Sequence, residues 1–190
     1  MSRRGILRIL VLLPLIAVAL FGYTKVMARL PLARPPAQAA QALLADHLVV
    51  SKADRKLYLM QDGQVMRSYD IAMGARWDEG AKQSEGDERT PEGDYRIDWR
   101  NPQSVAHLSL HISYPDAADQ ARAVQGGFDP GGNIMIHGLP NGWGAIGALH
   151  LSANWTDGCI AVTNSEMREI WARTPDGTPI TIAAHWTPET

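Results

Sequence analysis

Residues 134–162 read IMIHGLPNGWGAIGALHLSANWTDGCIAV. Ile134 to Ile136 is an apolar, strand-like run that delivers His137 and Gly138. Cys159, the only cysteine of the chain, stands behind Thr156, Asp157 and Gly158 and opens a second apolar run, Ile160 to Val162. A strand on either side of a glycine- and tryptophan-rich loop points to a domain with sheet at its centre. A lone thiol with a histidine upstream is a candidate nucleophile and base. A buried structural cysteine is the plainer use of one, so the surroundings have to decide.

Toward the N-terminus, His47 to Ser51, Lys56 to Met60 and Gln64 to Met73 are short strand candidates. Asp54-Arg55 turns the first connection and Asp62-Gly63 is a strong hairpin signal, so the three form an antiparallel meander that Gly74 ends. Ala75 to Arg89 is a polar loop. Thr90-Pro91-Glu92-Gly93 fits a type I turn into a strand over Asp94 to Trp99. His107 to Ser113 alternates as a strand, which puts His107 and His111 on one face. No third ligand stands at recognisable spacing, so these are ordinary histidines rather than a metal site. Asp116 to Gly132 reads as a loop rich in Asp and Gly. Past the thiol, Thr163 and Glu166 have capping-box spacing and predict a helix through Arg173, with Met167, Ile170 and Trp171 as its apolar stripe. After a turn at Asp176-Gly177, Pro179 to Ala183 gives a last strand. Several short strands with one late helix indicate a single mostly β (α+β) domain over residues 46–184, followed by a short tail, 185–190.

The chain has 190 residues, 45% of them hydrophobic, enough for one domain with a real core. Its net charge of -2 hides an asymmetry: six of the eighteen basic residues precede the first acid, Asp46. Beyond residue 34, twelve basic residues face twenty acidic ones. An acidic body lacks the basic footprint that nucleic-acid binding needs.

Arg3, Arg4 and Arg8 precede an uncharged run from Ile9 to Thr24, and Lys25 and Arg29 come after it. A basic flank before an apolar segment is the pattern of an export signal. Its sixteen residues would rise about 24 Å against a hydrocarbon core of ~30 Å, a gap that snorkelling by Arg8 and Lys25 closes. Residues 1–30 are therefore expected to be an N-terminal anchor in the inner membrane, with a cleaved signal peptide as the alternative. The arginines place the domain over residues 46–184 outside the cytoplasm, in the periplasm or its equivalent. Residues 31–45, with Pro31, Pro35 and Pro36, form a linker ending in a short helix-like segment. Exported chains use cysteines in pairs, so an unpaired one points to a reactive thiol.

A thiol attacks only as thiolate, with a free pKa near 8.5, so Cys159 needs a group to take its proton. His137 serves if the fold brings it close and holds its ring in the right tautomer, for which the Gly138 carbonyl is the nearest tether. Gly158 permits a tight turn before the nucleophile, and N–H groups from Asp157 to Cys159 can converge on a developing oxyanion.

In this order, His137-Gly138 at a strand end, about twenty residues, then Thr156-Asp157-Gly158-Cys159-Ile160 at a strand start, the chain resembles the L,D-transpeptidases, the YkuD-like group of cell-wall enzymes. Asp62-Gly63, Gly74 and Thr90-Pro91-Glu92-Gly93 resemble further landmarks of that domain. The resemblance implies a β-rich YkuD-like catalytic domain, with Cys159 as nucleophile, His137 as proton acceptor and donor, and the Gly138 carbonyl orienting the imidazole. The substrate class it implies is the peptidoglycan stem peptide. The carbonyl of the third stem residue acylates the thiol and the terminal D-alanine leaves. An amine then resolves the thioester, giving a 3-3 cross-link or attachment of a cell-wall-linked lipoprotein. No metal or organic cofactor is expected. Many members carry His where this chain has Asp157, and Arg or Asn where it has Ala161. The interval between His137 and Cys159 is slightly long, which would set Trp143, His150 and Trp155 on a loop over the substrate, beside Thr156, Asp157 and Gly158. Two other readings stand beside transpeptidation. One is hydrolysis of the same thioester. The other is an inactive wall-binding domain, against which the intact Cys159 and His137 count.

Overall fold

Eight strands, β1 (His47–Ser51), β2 (Lys56–Gln61), β3 (Gln64–Asp70), β4 (Gly93–Asn101), β5 (Ser109–Ile112), β6 (Met135–His137), β7 (Ile160–Ala161) and β8 (Pro179–Ala183), join into one mixed sheet. Their spatial order is β3-β2-β1-β8-β4-β5-β6-β7. This is a computed structural model; it describes residues 3–188, with side chains from residue 12 onward. The β2–β3 hairpin turns on Asp62 (φ 51°) and Gly63 (φ 75°), the pair of left-handed residues that a tight two-residue turn requires. The last strand in sequence, β8, lies in the middle, parallel to β1 and antiparallel to β4. It welds the meander to the half of the sheet that carries His137 and Cys159.

Alternation decides the faces. Ile97, Leu110, Ile112, Ile136 and Ile160 are wholly buried on one side, where Met167, Ile170 and Trp171 of helix α3 (Asn164–Arg173) join the same core. Each such side chain contributes about 1.5–3 kcal/mol by leaving water. The helix starts as expected, with the Thr163 side chain accepting from the Glu166 amide while the Glu166 carboxylate takes the Thr163 N–H (2.9 Å). The linker lies along this helix: the Ala39 and Ala45 amides donate to the carbonyls of Ala172 and Arg173, both at 2.8 Å.

Four local expectations give way. Ala117–Gly126 forms a helix, α2, inside the expected Asp/Gly loop. Asp116 caps it with its own box to Asp119, and Gly127 ends it in the left-handed region (φ 69°). Thr90 to Gly93 makes no turn. Thr90 is buried with its hydroxyl accepting from the Gly74 amide (3.1 Å), and the turn falls earlier, at Glu85-Gly86. β3 stops at Asp70; Ile71 to Gly74 leaves the meander to bridge Ala161 and Thr156. His107 sits at φ 62° before β5 begins, so it does not share a strand face with His111, whose ring nitrogen instead pairs with Asp98 at 2.6 Å.

Arg3–Met27 forms one helix, α1. Among the described residues no helix is long and apolar enough to cross a membrane. The sixteen residues of α1 whose side chains are described rise about 24 Å, less than the ~30 Å of a hydrocarbon core. The spanning anchor expected over residues 1–30 is thus not found in that part. Residues 1 and 2 of that segment, and 189 and 190 of the expected tail, lie outside the described residues.

Candidate active site

β6 and β7 run parallel, with Ile136 beside Ile160 and His137 beside Ala161. This register sets Cys159, the residue before β7, next to Met135. The Met135 amide points at the sulfur, donating to Sγ at 3.4 Å, and the Asn133 carbonyl lies 3.6 Å from Sγ as an acceptor for the thiol proton. His137 stands two residues along, on the same side of the sheet as Met135. His137 and Cys159 line one cavity of about 380 Å³ with Ser109, Trp155 and the Gln103–Ala106 loop. Among the described residues no hydrogen bond joins Sγ to the ring in this conformation. The two groups face the same open space.

The imidazole is 9% exposed, and its Nδ1 lies 2.6 Å from Gly138 O. A carbonyl only accepts, so Nδ1 carries the proton and Nε2 is left to receive one. Burial pushes the His137 pKa below the usual imidazole value. The Gly138 carbonyl opposes this, and nearby His150 adds to it. Burial pushes the Cys159 thiol up, with the Met135 N–H pulling down and Asp157 adding a small upward push. Both shifts favour the neutral forms, a thiol and an uncharged imidazole, over an ion pair.

Backbone geometry holds the thiol turn. Thr156 Oγ1 donates to Cys159 O (2.7 Å) and accepts from the Gly158 amide (3.2 Å). The Gly158 N–H, expected to face an oxyanion, is committed there. Gly158 itself sits at φ 127°, and a Cβ would meet Arg89 O at 2.5 Å. The loop that crosses behind Gly158 is tied down by Lys52, 1% exposed, whose Nζ donates to Gly80 O, Thr90 O and Glu92 Oε1 (2.6 Å).

A model of the L,D-transpeptidase catalytic domain, YkuD, matches residues 45–182 of this chain. The chain belongs to the YkuD family. Among the solved structures that share its fold are the helical cell shape determining protein Pgp2 of Campylobacter jejuni (25% identity, TM-score 0.55, covering 75% of this chain and 48% of that one) and Bd1075 of Bdellovibrio bacteriovorus (23%, 0.52, 82% and 54%). The chain thus spans about half the length of the structures it resembles. No curated protein matches it by sequence.

Within this YkuD domain the loop from Gly138 to Asp157 is a broken 3-10 segment, Gly144–Ser152, kinked at Gly147. Trp155 stands between two imidazoles, edge-on to His137 (5.9 Å) and to His150 (6.3 Å). On its far side lies a second cavity of about 500 Å³, lined by Trp143, Ile146, His150 and Thr24 of α1. His150 is 8% exposed, and among the described residues neither of its buried ring nitrogens has a partner. Asp157 is exposed, and Ala161 is buried on β7. Several groups of the site carried no signal in the sequence. The Met135 amide reaches sulfur only through the β6–β7 register. Asn164 Oδ1 anchors the loop by accepting from Leu139 N (2.8 Å), a contact across 25 residues. Tyr23 of α1 donates to Gly142 O (3.0 Å) and meets Trp143 edge-on.

Proposed function

We propose that this YkuD domain is a cysteine acyltransferase acting on peptidoglycan stem peptides. The observation that supports it most is the shared cavity of Cys159 and His137, with Gly138 O holding Nδ1 so that Nε2 is free to take a proton. Cys159 Sγ attacks the carbonyl carbon of the third stem residue while its proton passes to Nε2. The tetrahedral intermediate collapses and expels D-alanine, whose nitrogen takes the proton back from His137. A second amine then attacks the thioester, gives its proton to His137, and leaves with the acyl group as the thiol is re-formed. The Met135 N–H sits where it steadies the thiolate whenever sulfur is the leaving group. Trp143, Trp155 and His150 line the second cavity, on the far side of Trp155, from which the acceptor amine would approach.

The same reading places the domain outside the cytoplasm. The arginines before the apolar run support export, and the exposed Leu12, Leu13, Leu15, Ile16 and Phe21 of α1 give it an apolar surface for the inner membrane. The acyl acceptor is an amine of a neighbouring stem peptide or of a cell-wall-linked lipoprotein.

Muropeptide mass analysis of a peptidoglycan digest, with the wild-type chain and with Cys159→Ala, tests the proposal. Cross-linked dimers or amine adducts that vanish with the substitution are expected. Shortened stems without any transferred amine would make the enzyme a hydrolase, and identical profiles would contradict catalysis altogether.

A further inference from the structure

The sheet face that carries the nucleophile does not end at the cavity. Strand register lines up Trp99 on β4 with His111 on β5, and His111 with Met135 on β6. Extending the β6–β7 register one residue puts Met135 beside Cys159. Residues paired across strands project to the same side, so Trp99, His111, Met135 and Cys159 form one row on the open face. The opposite face is the core, where Ile97, Leu110 and Ile136 are fully buried. A bulge between Ile97 and Trp99 makes the exception: it inserts Asp98 and turns both Asp98 and Trp99 outward.

The far end of the row is built like a platform. The Trp99 ring stacks on His111 (centroids 4.8 Å, planes 17° apart), and His111 is in turn held by Asp98 at 2.6 Å. One face of the indole is thereby backed and fixed while the side chain stays 42% exposed. An outward-facing, immobilised indole beside a carboxylate suits a ligand ring with an apolar C–H face and polar N–H or O–H groups at its rim. A pyranose sugar has that character. Three strand spacings separate Cys159 from Trp99, about 14 Å. A stem peptide whose third residue carries the scissile carbonyl covers about 10 Å of that when extended. The group that then reaches Trp99 is the one to which the stem is attached.

We propose that Trp99, backed by His111 and flanked by Asp98, is a subsite for a sugar ring of the glycan strand that bears the stem peptide. The indole takes the C–H face of the ring, and Asp98 accepts from an amide N–H or hydroxyl at its edge. The proposal rests on the stem-peptide reading of the Cys159 site and adds to it a preference for glycan-attached over free peptide.

The test is calorimetric titration of the full chain carrying Cys159→Ala, which leaves the ligand uncleaved, with free tetrapeptide and with disaccharide-tetrapeptide. The disaccharide form should bind about tenfold more tightly, and adding Trp99→Ala should erase that gain while leaving the free tetrapeptide affinity unchanged. Trp99→Phe, which keeps an aromatic face, should retain most of it. Equal affinity for the two ligands, or equal weakening of both by Trp99→Ala, overturns the subsite. Failure of both ligands to bind the Trp99-bearing protein would sink the stem-peptide reading itself.

Discussion

The Nδ1 of His137 lies 2.6 Å from the carbonyl oxygen of the next residue, Gly138. That contact selects the tautomer with Nε2 open, and it depends on residue 138 having no side chain. A Cβ there would stand 2.7 Å from Asn164 Oδ1 and 2.8 Å from His107 Cβ. Asn164 Oδ1 is already committed to the Leu139 amide, so the backbone must yield instead. Gly138→Ala is expected to lower kcat on the order of 100-fold, the cost of misplacing a base by about an ångström. Unchanged kcat in a stopped assay with a stem-peptide substrate would show that the carbonyl does not orient the ring.

His107, His137 and His150 all have their pKa pushed down, burial being the main cause in each. Below about pH 6.5 the unfolded chain takes up protons that these three rings refuse in the folded state. Folding stability therefore rises with pH through that range and is lost as pH falls from about 6.5 toward the depressed folded values. Denaturant melts at pH 7.5 and 5.5 should show lower stability at 5.5, and His107→Leu should flatten the slope. Asp87 acts lower down. Its carboxyl sits at about 2, held there by Lys82 and three backbone amides against its own burial, so its contribution persists above about 3.8 and is lost as pH falls toward 2.

Lys52→Met removes a buried ammonium from two carbonyls and the Glu92 carboxylate. Glu92 is partly open to water, which softens the loss, so a destabilisation of about 2–3 kcal/mol is expected by urea titration. The same substitution frees the loop whose Arg89 carbonyl presses on Gly158. Iodoacetamide labelling of Cys159 should accelerate even where the protein remains folded.

His150 offers the opposite balance. Among the described residues neither of its buried ring nitrogens has a hydrogen-bond partner, and a buried polar atom left so contributes nothing to the fold. His150→Leu is expected to leave thermal stability unchanged or raise it by about 1 kcal/mol. Aminolysis of the thioester by an added amine should fall severalfold while acylation of Cys159 holds. Equal loss of both steps would assign His150 to the fold rather than to the acceptor side.

The sequence made legible whatever is local. The Asp62-Gly63 hairpin, the Thr163–Glu166 capping box and the run from Pro179 to Ala183 appear where pattern and turn chemistry put them. A single cysteine leaves no other candidate thiol, and the structure sets it in one cavity with His137. Contacts set by register across long separations were not: Met135 beside Sγ, Asn164 on Leu139, and Trp99 in line with the thiol all require knowing which strands neighbour which. Helix α2 was missed because Asp116 and Gly127 resemble loop punctuation when they are in fact its two caps.

The central claim is a covalent one, that Cys159 carries the acyl group with His137 as its proton relay. Intact-protein mass spectrometry after brief mixing with a tetrapeptide stem should show a population heavier by the tripeptide acyl group. That adduct should map to Cys159, be absent from Cys159→Ala, and form much more slowly in His137→Ala. Release of D-alanine by Cys159→Ala at the wild-type rate would contradict the account.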